Sequence, residues 1–476
     1  PTMSKQIPLV GRWRSKLSSS TKETEFFDML REYGPCVVGS TASRHSPISK
    51  RALTEPLLKV SGDPGTYPPN EKSTAINSAA HHYLNAFDRA VKYMDKSMHP
   101  DWLESQQSVI KDYEALIRNS LTSYPDTEAG VLMSLRDSIM ERVSECGKSS
   151  AGLHRLGPYT TIDALVAHTG VTDMEQFIVE RQRRTVEHFT PVVVKALSLS
   201  KDPFLGLHTD CSCSAVDVAL ALYDAILNCD SFDAYTQQFH DSQLLIVKDE
   251  PHRPEKAAQH RWRPIVVVAA QAGFALAAAG RPLSTALKAP GVALKTLKSA
   301  SYEDFSPRSC DSIAQMLGLL DDDVSKPRRT SFAADATAFD SNCGGVLALH
   351  AHRAMIVALA STGNTALANM AAVQLAFQVN PVITLSSGVI FTLPRVVMSN
   401  GLCVPGPQAS GSMFTTLMNN ATTRMYLNVV EKRALVYGIH LKSVQAGDDV
   451  AISADSDVSN VVIIDLLAGE QLDYSA

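Results

Sequence analysis

Apolar residues recur at three- and four-residue steps through four segments: "YLNAFDRAVKYMDKSM", "QQSVIKDYEALIRNSL", "AGVLMSLRDSIMERVSE" and "MEQFIVERQRRTVEHFTPVVVKAL". That period gives each segment one apolar stripe and predicts a helical section from about 83 to 198. Another helix is predicted over "AVDVALALYDAILNC", after which the pattern turns mixed. Short continuous apolar runs predict strands at "LLIVK" and "PIVVV", a small-residue helix follows, and a further helix is expected near "SIAQMLGLL". Past the charge switch "DDDVSKPRR" a strand enters "FAADATAFD", helices cover 343–360 and 364–378, and "PVITLSSGVIFTLPRVVM" is strand-rich. A long helix is expected to begin near Gly411 and lead into "GIHLKSVQAGDDVAIS", two short apolar strands meeting at Gly447. Residues 1 to about 80, rich in Ser, Thr, Pro and Lys around "ETEFFDMLREYG", read as an extended arm. Helices and strands interleave too irregularly for a doubly wound sheet, and no GxGxxG is present, so the fold class is α+β.

Composition narrows the picture little. The 476 residues suffice for two or three domains or one multi-lobed enzyme, and 45% hydrophobic with 20% charged content is that of a globular protein. A formal net charge of -5 means that any surface for a polynucleotide must be a local positive patch. Eight scattered cysteines without a CxxC fit free thiols in a reducing compartment. "HTDCSCS" gathers His208, Asp210, Cys211 and Cys213, but lacks four-ligand zinc spacing and reads as a loop or helix start. "IVVVAAQAGFALAAAG" from Ile265 is too short for a membrane span and carries Gln271, so no transmembrane segment is predicted. "RQRR" reads as a solvated helix face rather than a nucleic-acid contact.

Chemistry is suggested by four segments. "GDD" sets Asp448 and Asp449 side by side, where a hairpin turn needs at most one acidic residue. Two-metal phosphoryl transfer asks for carboxylates from separate strands converging on two Mg²⁺ ions about 3.5–4 Å apart. Asp335, at the end of an apolar strand, and Asp340 five residues on are the candidate partners. In "SGSMFTTLMNN", Ser410 and Gly411 are expected to open a helix, with Thr415 and Asn419 on one face as a polar stripe; a capped core helix is the plain alternative. "VKDEPHRPEKAAQHRWRPIVVV" concentrates Lys248, Arg253, Lys256, Arg261 and Arg263 before a buried strand. In an extended segment Arg261 and Arg263 point the same way, which suits triphosphate oxygens, and Glu250 and Glu255 temper the charge as in any solvated loop.

Taken in order, "KDEPHRPEK", "RWRPI", "DATAFD", "SGSMFTTLMN" and "GDD" resemble motifs F, A, B and C of viral RNA-dependent RNA polymerases. They match the patterns D-x4-D, SGxxxTxxxN and GDD, and the resemblance spans residues 240 to 455 or so. It implies a right-hand polymerase fold with fingers and an antiparallel palm sheet behind a helical N-terminal region. It implies two Mg²⁺ (or Mn²⁺) ions on Asp335 and Asp448, with Asp449 in support. It further implies ribose recognition by Asp340 and Asn419 with Ser410 and Thr415 nearby, and triphosphate binding by Lys248, Arg261, Arg263 and Lys256. Asp340 offers an acceptor to a ribose 2′-hydroxyl, which favours ribonucleotides over the deoxynucleotides a reverse transcriptase uses. The implied partners are template RNA, nascent RNA and NTPs, with viral capsid or replication proteins beside them. The implied location is the host cytoplasm, inside a particle or replication complex.

The division that follows is 1–200 as a largely helical N-terminal extension, 201–328 as fingers with motif F, and 329–342 as palm motif A. Palm and fingers helices and strands take 343–400, and palm motifs B and C take 401–476. After Asp449, "VAISADSDVSNVVIIDLLAGEQLDYSA" contains no lysine, arginine or histidine, although the family's motif D carries a lysine and a helical thumb follows it. The chain also begins with Pro1, so it is expected to be C-terminally incomplete, a piece of a longer protein. The rival from another class is a non-catalytic palm-fold scaffold subunit of a viral particle.

Overall fold

The computed structural model describes residues 100–120, 127–152, 161–198, 213–228, 243–247, 264–288, 298–300, 307–320, 329–336, 339, 345–379, 382–385, 390–392, 408–455, 462–463, 466–467 and 474–475. The N-terminal arm, the first predicted helix and "DDDVSKPRR" lie outside them. Helices α1 (Pro100–Ser120), α2 (Glu128–Cys146), α3 (Ile162–Thr169), α4 (Val171–Leu197) and α5 (Ala215–Leu227) come first. Strands β1 (Gln243–Val247) and β2 (Pro264–Val267) precede α6 (Ala270–Lys288) and α7 (Pro307–Met316). Then follow β3 (Thr330–Ala336), α8 (Gly345–Ser361), α9 (Thr365–Val379), β4 (Val382–Leu385) and β5 (Ile390–Thr392). Helix α10 (Thr415–Val436), the hairpin β6 (Leu441–Ala446) and β7 (Asp449–Ala454), and β8 (Tyr474–Ser475) complete the described elements. The arrangement is mostly helical with two small sheets, an α+β chain.

The sheets differ in kind. One has the order β2-β1-β4-β5, with β1 antiparallel to β2 and parallel to β4. The other, β6-β7-β3-β8, is antiparallel throughout. Along β3, Phe332, Ala334 and Ala336 are buried while Ser331, Ala333 and Asp335 are exposed, the period-two alternation of a sheet with one packed face. On β7, Val450, Ile452 and Ala454 join the same inner face. Burying a large apolar side chain such as Phe332 or Ile452 contributes about 1.5–3 kcal/mol relative to exposure, which fixes strand register here.

A continuous apolar core joins this inner face to α1, α4, α5, α6, α8, α9 and α10. Helices α8 and α9 are apolar nearly all round and are accordingly buried nearly all round. Close approach is set by small residues: a Cβ at Gly280 of α6 would stand 2.9 Å from the ring of Phe414. Helix α10 runs through the middle of this core and α1 clamps it. Tyr113 Oη donates to the Leu417 carbonyl at 2.7 Å, Ser105 Oγ donates to that of Met425 at 2.8 Å, and Lys432 pairs with Asp101 at 2.8 Å.

Two expectations are sharpened. In "RQRR", Arg183 pairs with Glu180 and Glu187, and Arg184 with Glu180, so two of its three arginines are engaged along their own helix. Cys213 sits at the start of α5, its Sγ directed at the Leu197 carbonyl, and Ser214 with Asp217 forms a capping box; His208, Asp210 and Cys211 lie outside the described residues. One expectation is corrected: Ser410 and Gly411 do not open α10, which begins at Thr415 after a turn. Among the described residues no helix is long and apolar enough to cross a membrane.

Candidate active site

The hairpin tip follows from its glycine. Ala446 and Asp449 form the closing pair of the β6–β7 ladder, leaving Gly447 and Asp448 as a two-residue loop. Gly447 has φ +71, the left-handed side of backbone space, and Asp448 does not share it. A positive φ at the first loop position alone is the II′ pattern, which is why glycine stands there and why an aspartate is tolerated next.

Strand pairing then brings in the third carboxylate. Ala334 of β3 pairs with Val450 of β7, so one step further along the antiparallel ladder come Asp335 and Asp449. Asp335 also pairs with Ser475 of β8 on its other side. Asp335 and Asp449 stand on the outer face, opposite the packed one. Burial raises the Asp449 carboxyl above the usual carboxylate range, and the negative charges of Asp448 and Asp335 push it further the same way. Three carboxylates from two strands and a turn therefore sense one another.

A pocket of about 480 Å³ opens on this face. Ala333, Val444, Ala446 and Ala451 line it together with Asp335, Asp449 and Ile313 of α7. The donor set is carboxylate oxygen without sulfur or imidazole, chemistry suited to Mg²⁺ or Mn²⁺ rather than zinc. Among the described residues no group of three or more His, Cys, Asp or Glu side chains is drawn together as a metal-holding cluster.

The segment before α10 is tied to the other sheet. Gly411 N donates to the Val266 carbonyl of β2 at 3.0 Å, and Val266 N approaches Ser410 Oγ at 3.5 Å. A Cβ at Gly411 would lie 2.3 Å from the Val266 oxygen, so this glycine serves a strand contact rather than a helix start. Thr415 directs its hydroxyl proton at the loop carbonyls of Ala409 and Ser412, at 2.9 and 2.7 Å, and so braces the same turn. Asn419 is 7% exposed, and its Oδ1 meets no hydrogen-bond donor among the described residues.

Asp340, Lys248, Lys256, Arg261 and Arg263 lie outside the described residues. The strands on either side of the basic segment pair with each other at Val247 and Pro264, and β2 is the strand that holds Ser410 and Gly411.

The sequence reading missed the residues that join α10 to the hairpin. Asn420, 3% exposed, accepts from Gly447 N at 3.1 Å and donates from Nδ2 to the Thr416 carbonyl at 3.0 Å. Arg424, 1% exposed, donates from Nε to Asn428, from Nη1 to Ser443 Oγ at 3.0 Å, and from Nη2 to Glu431 at 2.8 Å. Burial raises the Glu431 carboxyl, but Arg424 and Lys298, with hydrogen bonds from Ser443 and Arg424, outweigh it and leave the net shift downward. A signal existed: an arginine inside the otherwise uncharged "ATTRMYLNVV" has no solvent face to occupy. No protein-family model matches this chain, and no curated protein matches it in sequence.

Proposed function

We propose that the chain carries the palm of an RNA-directed RNA polymerase that joins ribonucleoside triphosphates to an RNA 3′-hydroxyl. The observation that carries the reading is the register of β3 against β7, which sets Asp335 beside Asp449 with Asp448 at the adjoining tip. The segments of Asp335 and of Asp448 with Asp449 lie far apart in sequence and adjoin here, and the order of the four segments along the chain is that of the polymerase family. The outer-face pocket leaves the carboxylates open to a ligand.

In this reading Asp335 and Asp448 hold two divalent ions, with Asp449 in support. Bound there, the ions would lower the pKa of the attacking hydroxyl and neutralise charge on the leaving pyrophosphate. The chain's own residues bind and orient. Asn419 presents an amide oxygen without a donor among the described residues, which suits a ribose hydroxyl as donor, and Asp340 is its proposed companion. Ser410 and Gly411 fix the loop before α10, and Lys248, Lys256, Arg261 and Arg263 are the proposed triphosphate contacts. Positioning accounts for most of the rate, because phosphoryl transfer asks little covalent chemistry of a protein.

Extension of a primed RNA template with labelled NTPs and Mg²⁺ or Mn²⁺ tests this. Templated incorporation that disappears in Asp448→Ala supports the reading, and equal incorporation by that variant overturns the site. Preference for dNTPs over NTPs in the same assay would instead favour a reverse transcriptase.

A further inference from the structure

We propose that Asn420 is a positioning residue for Asp448, holding the tip of the β6–β7 hairpin from outside through the Gly447 amide; this rests on the polymerase reading above. Gly447 is the first residue of the two-residue loop, so the ladder that ends at Ala446 and Asp449 offers its N–H no partner. Gly447 is half-buried, and a backbone donor turned away from water without a partner is disfavoured. Asn420 Oδ1 supplies the acceptor at 3.1 Å.

The orientation of that amide is determined by both of its ends. Nδ2 donates to the Thr416 carbonyl at 3.0 Å, so turning the amide over would set NH₂ against the Gly447 N–H and a carbonyl against a carbonyl. Asp448 follows Gly447 directly, so its carboxylate hangs one peptide unit from the held amide. Strand pairing fixes the base of a hairpin but leaves its tip free to pivot; Asn420 removes that freedom.

Helix geometry extends the role. Arg424 lies four residues beyond Asn420, on the same face, and grips β6 at Ser443 and Gln445. One face of α10 therefore holds the hairpin at its tip and along its strand. Asn419, rotated by about 100° from Asn420, presents its unpaired oxygen elsewhere. The two adjacent asparagines divide the work, with Asn419 toward the nucleotide and Asn420 toward the turn, so nucleotide contact and Asp448 share one rigid helical turn.

The experiment compares wild type, Asn420→Ala and Asn420→Asp in the full chain, by hydrogen exchange and by primed extension across a Mg²⁺ titration. In Asn420→Ala, exchange at the Gly447 amide should quicken by about tenfold, the factor a lost hydrogen bond of ordinary net strength carries. The turnover number should fall by a similar factor, KM for NTP should stay within about twofold, and half-maximal activity should need more Mg²⁺. Asn420→Asp keeps an acceptor for the Gly447 amide but sets a carboxylate oxygen against the Thr416 carbonyl, so it should restore protection of the turn only in part. Should Asn420→Ala fail to fold, Asn420→Gln carries the amide one methylene too far and should show the same loss. Turn exchange and Mg²⁺ dependence that ignore these substitutions overturn the positioning role. A wild-type chain that incorporates no ribonucleotide overturns the polymerase reading, and the two failures appear in separate measurements.

Discussion

At the base of the β6–β7 hairpin, Arg424 lies 1% exposed with its nitrogens directed at Asn428, Ser443, Gln445 and Glu431. At its tip Asp335 and Asp449 stand on the open outer face with Asp448 in the adjoining turn, and burial together with the neighbouring negative charges drives the Asp449 carboxyl upward. Both clusters bear on the same hairpin, yet in one each charge is completed by its neighbour and in the other like charges stand near one another. Completed charges fix a structure. Like charges held at a surface weaken one, and are retained where something arriving from outside will neutralise them. The contrast supports the tip as the proposed site and the Arg424 cluster as architecture.

The largest expected effect falls at the tip. Asp448→Ala or Asp335→Ala should lower primed extension by at least about a thousandfold, the range seen when a group that manages transition-state charge is removed. Stability should move the other way or not at all, because each change relieves repulsion. A urea midpoint equal to or above that of wild type, beside lost activity, keeps the comparison; a large drop in midpoint would mean that these carboxylates are structural.

At the base the order of effects reverses. Arg424→Met leaves Glu431, whose side chain is 19% exposed, facing Ser443 with the more exposed Lys298, at 3.3 Å, as its remaining cation. Breaking a buried pair from one side is expected to lower stability by about 3–5 kcal/mol, read as a urea midpoint. Adding Glu431→Gln should recover part of that loss, since no uncompensated carboxylate then remains. Two independent, additive losses would sever the proposed coupling.

Gly447 tests the turn by which tip and base are joined. No heavy atom lies within 4 Å of a Cβ built there, so Gly447→Ala meets backbone strain alone, at φ +71. The loss should be about 1–2 kcal/mol in urea midpoint, the penalty of a left-handed backbone for an L-residue. Gly411→Ala is the sharper control, because its Cβ would press 2.3 Å against the Val266 oxygen.

Much of this was legible from local pattern. The hairpin, the strand entering Asp335 and the helical runs follow from period and turn chemistry, which act within a few residues. The partnership of Asp335 with the tip was legible only as a requirement of the chemistry, and the register supplies it. Hidden were contacts that depend on which surfaces meet. Gly411 looked like a helix start because a serine and a glycine precede an apolar run; its reason is a strand far back in the chain. Asn420 looked like the second half of a repeated letter. Helix α3 lies inside the section expected to be helical but does not stand out within it, because eight residues with one apolar face give too short a period.

The smallest effect concerns Asp112 of α1, which faces Arg424 and Lys298. Its carboxyl is raised from 3.8 to about 6, because burial outweighs the attraction of both cations. The unfolded chain releases this proton first as pH rises, so the folded state loses ground between about pH 4 and pH 6 and carries the full penalty above that. Glu431, with its carboxyl lowered, behaves oppositely: its contribution is present above the ordinary carboxylate value and lost in acid. Asp112→Asn should therefore match wild type below about pH 4 and exceed it above about pH 6. The gain should stay under about 1 kcal/mol, because the side chain is only partly buried and solvent screens it. Urea midpoints at steps from pH 4 to 7 read the difference directly. A gap that does not change with pH would mean that Asp112 is ionised in both states, and that the base of the hairpin holds its charges as loosely as the tip.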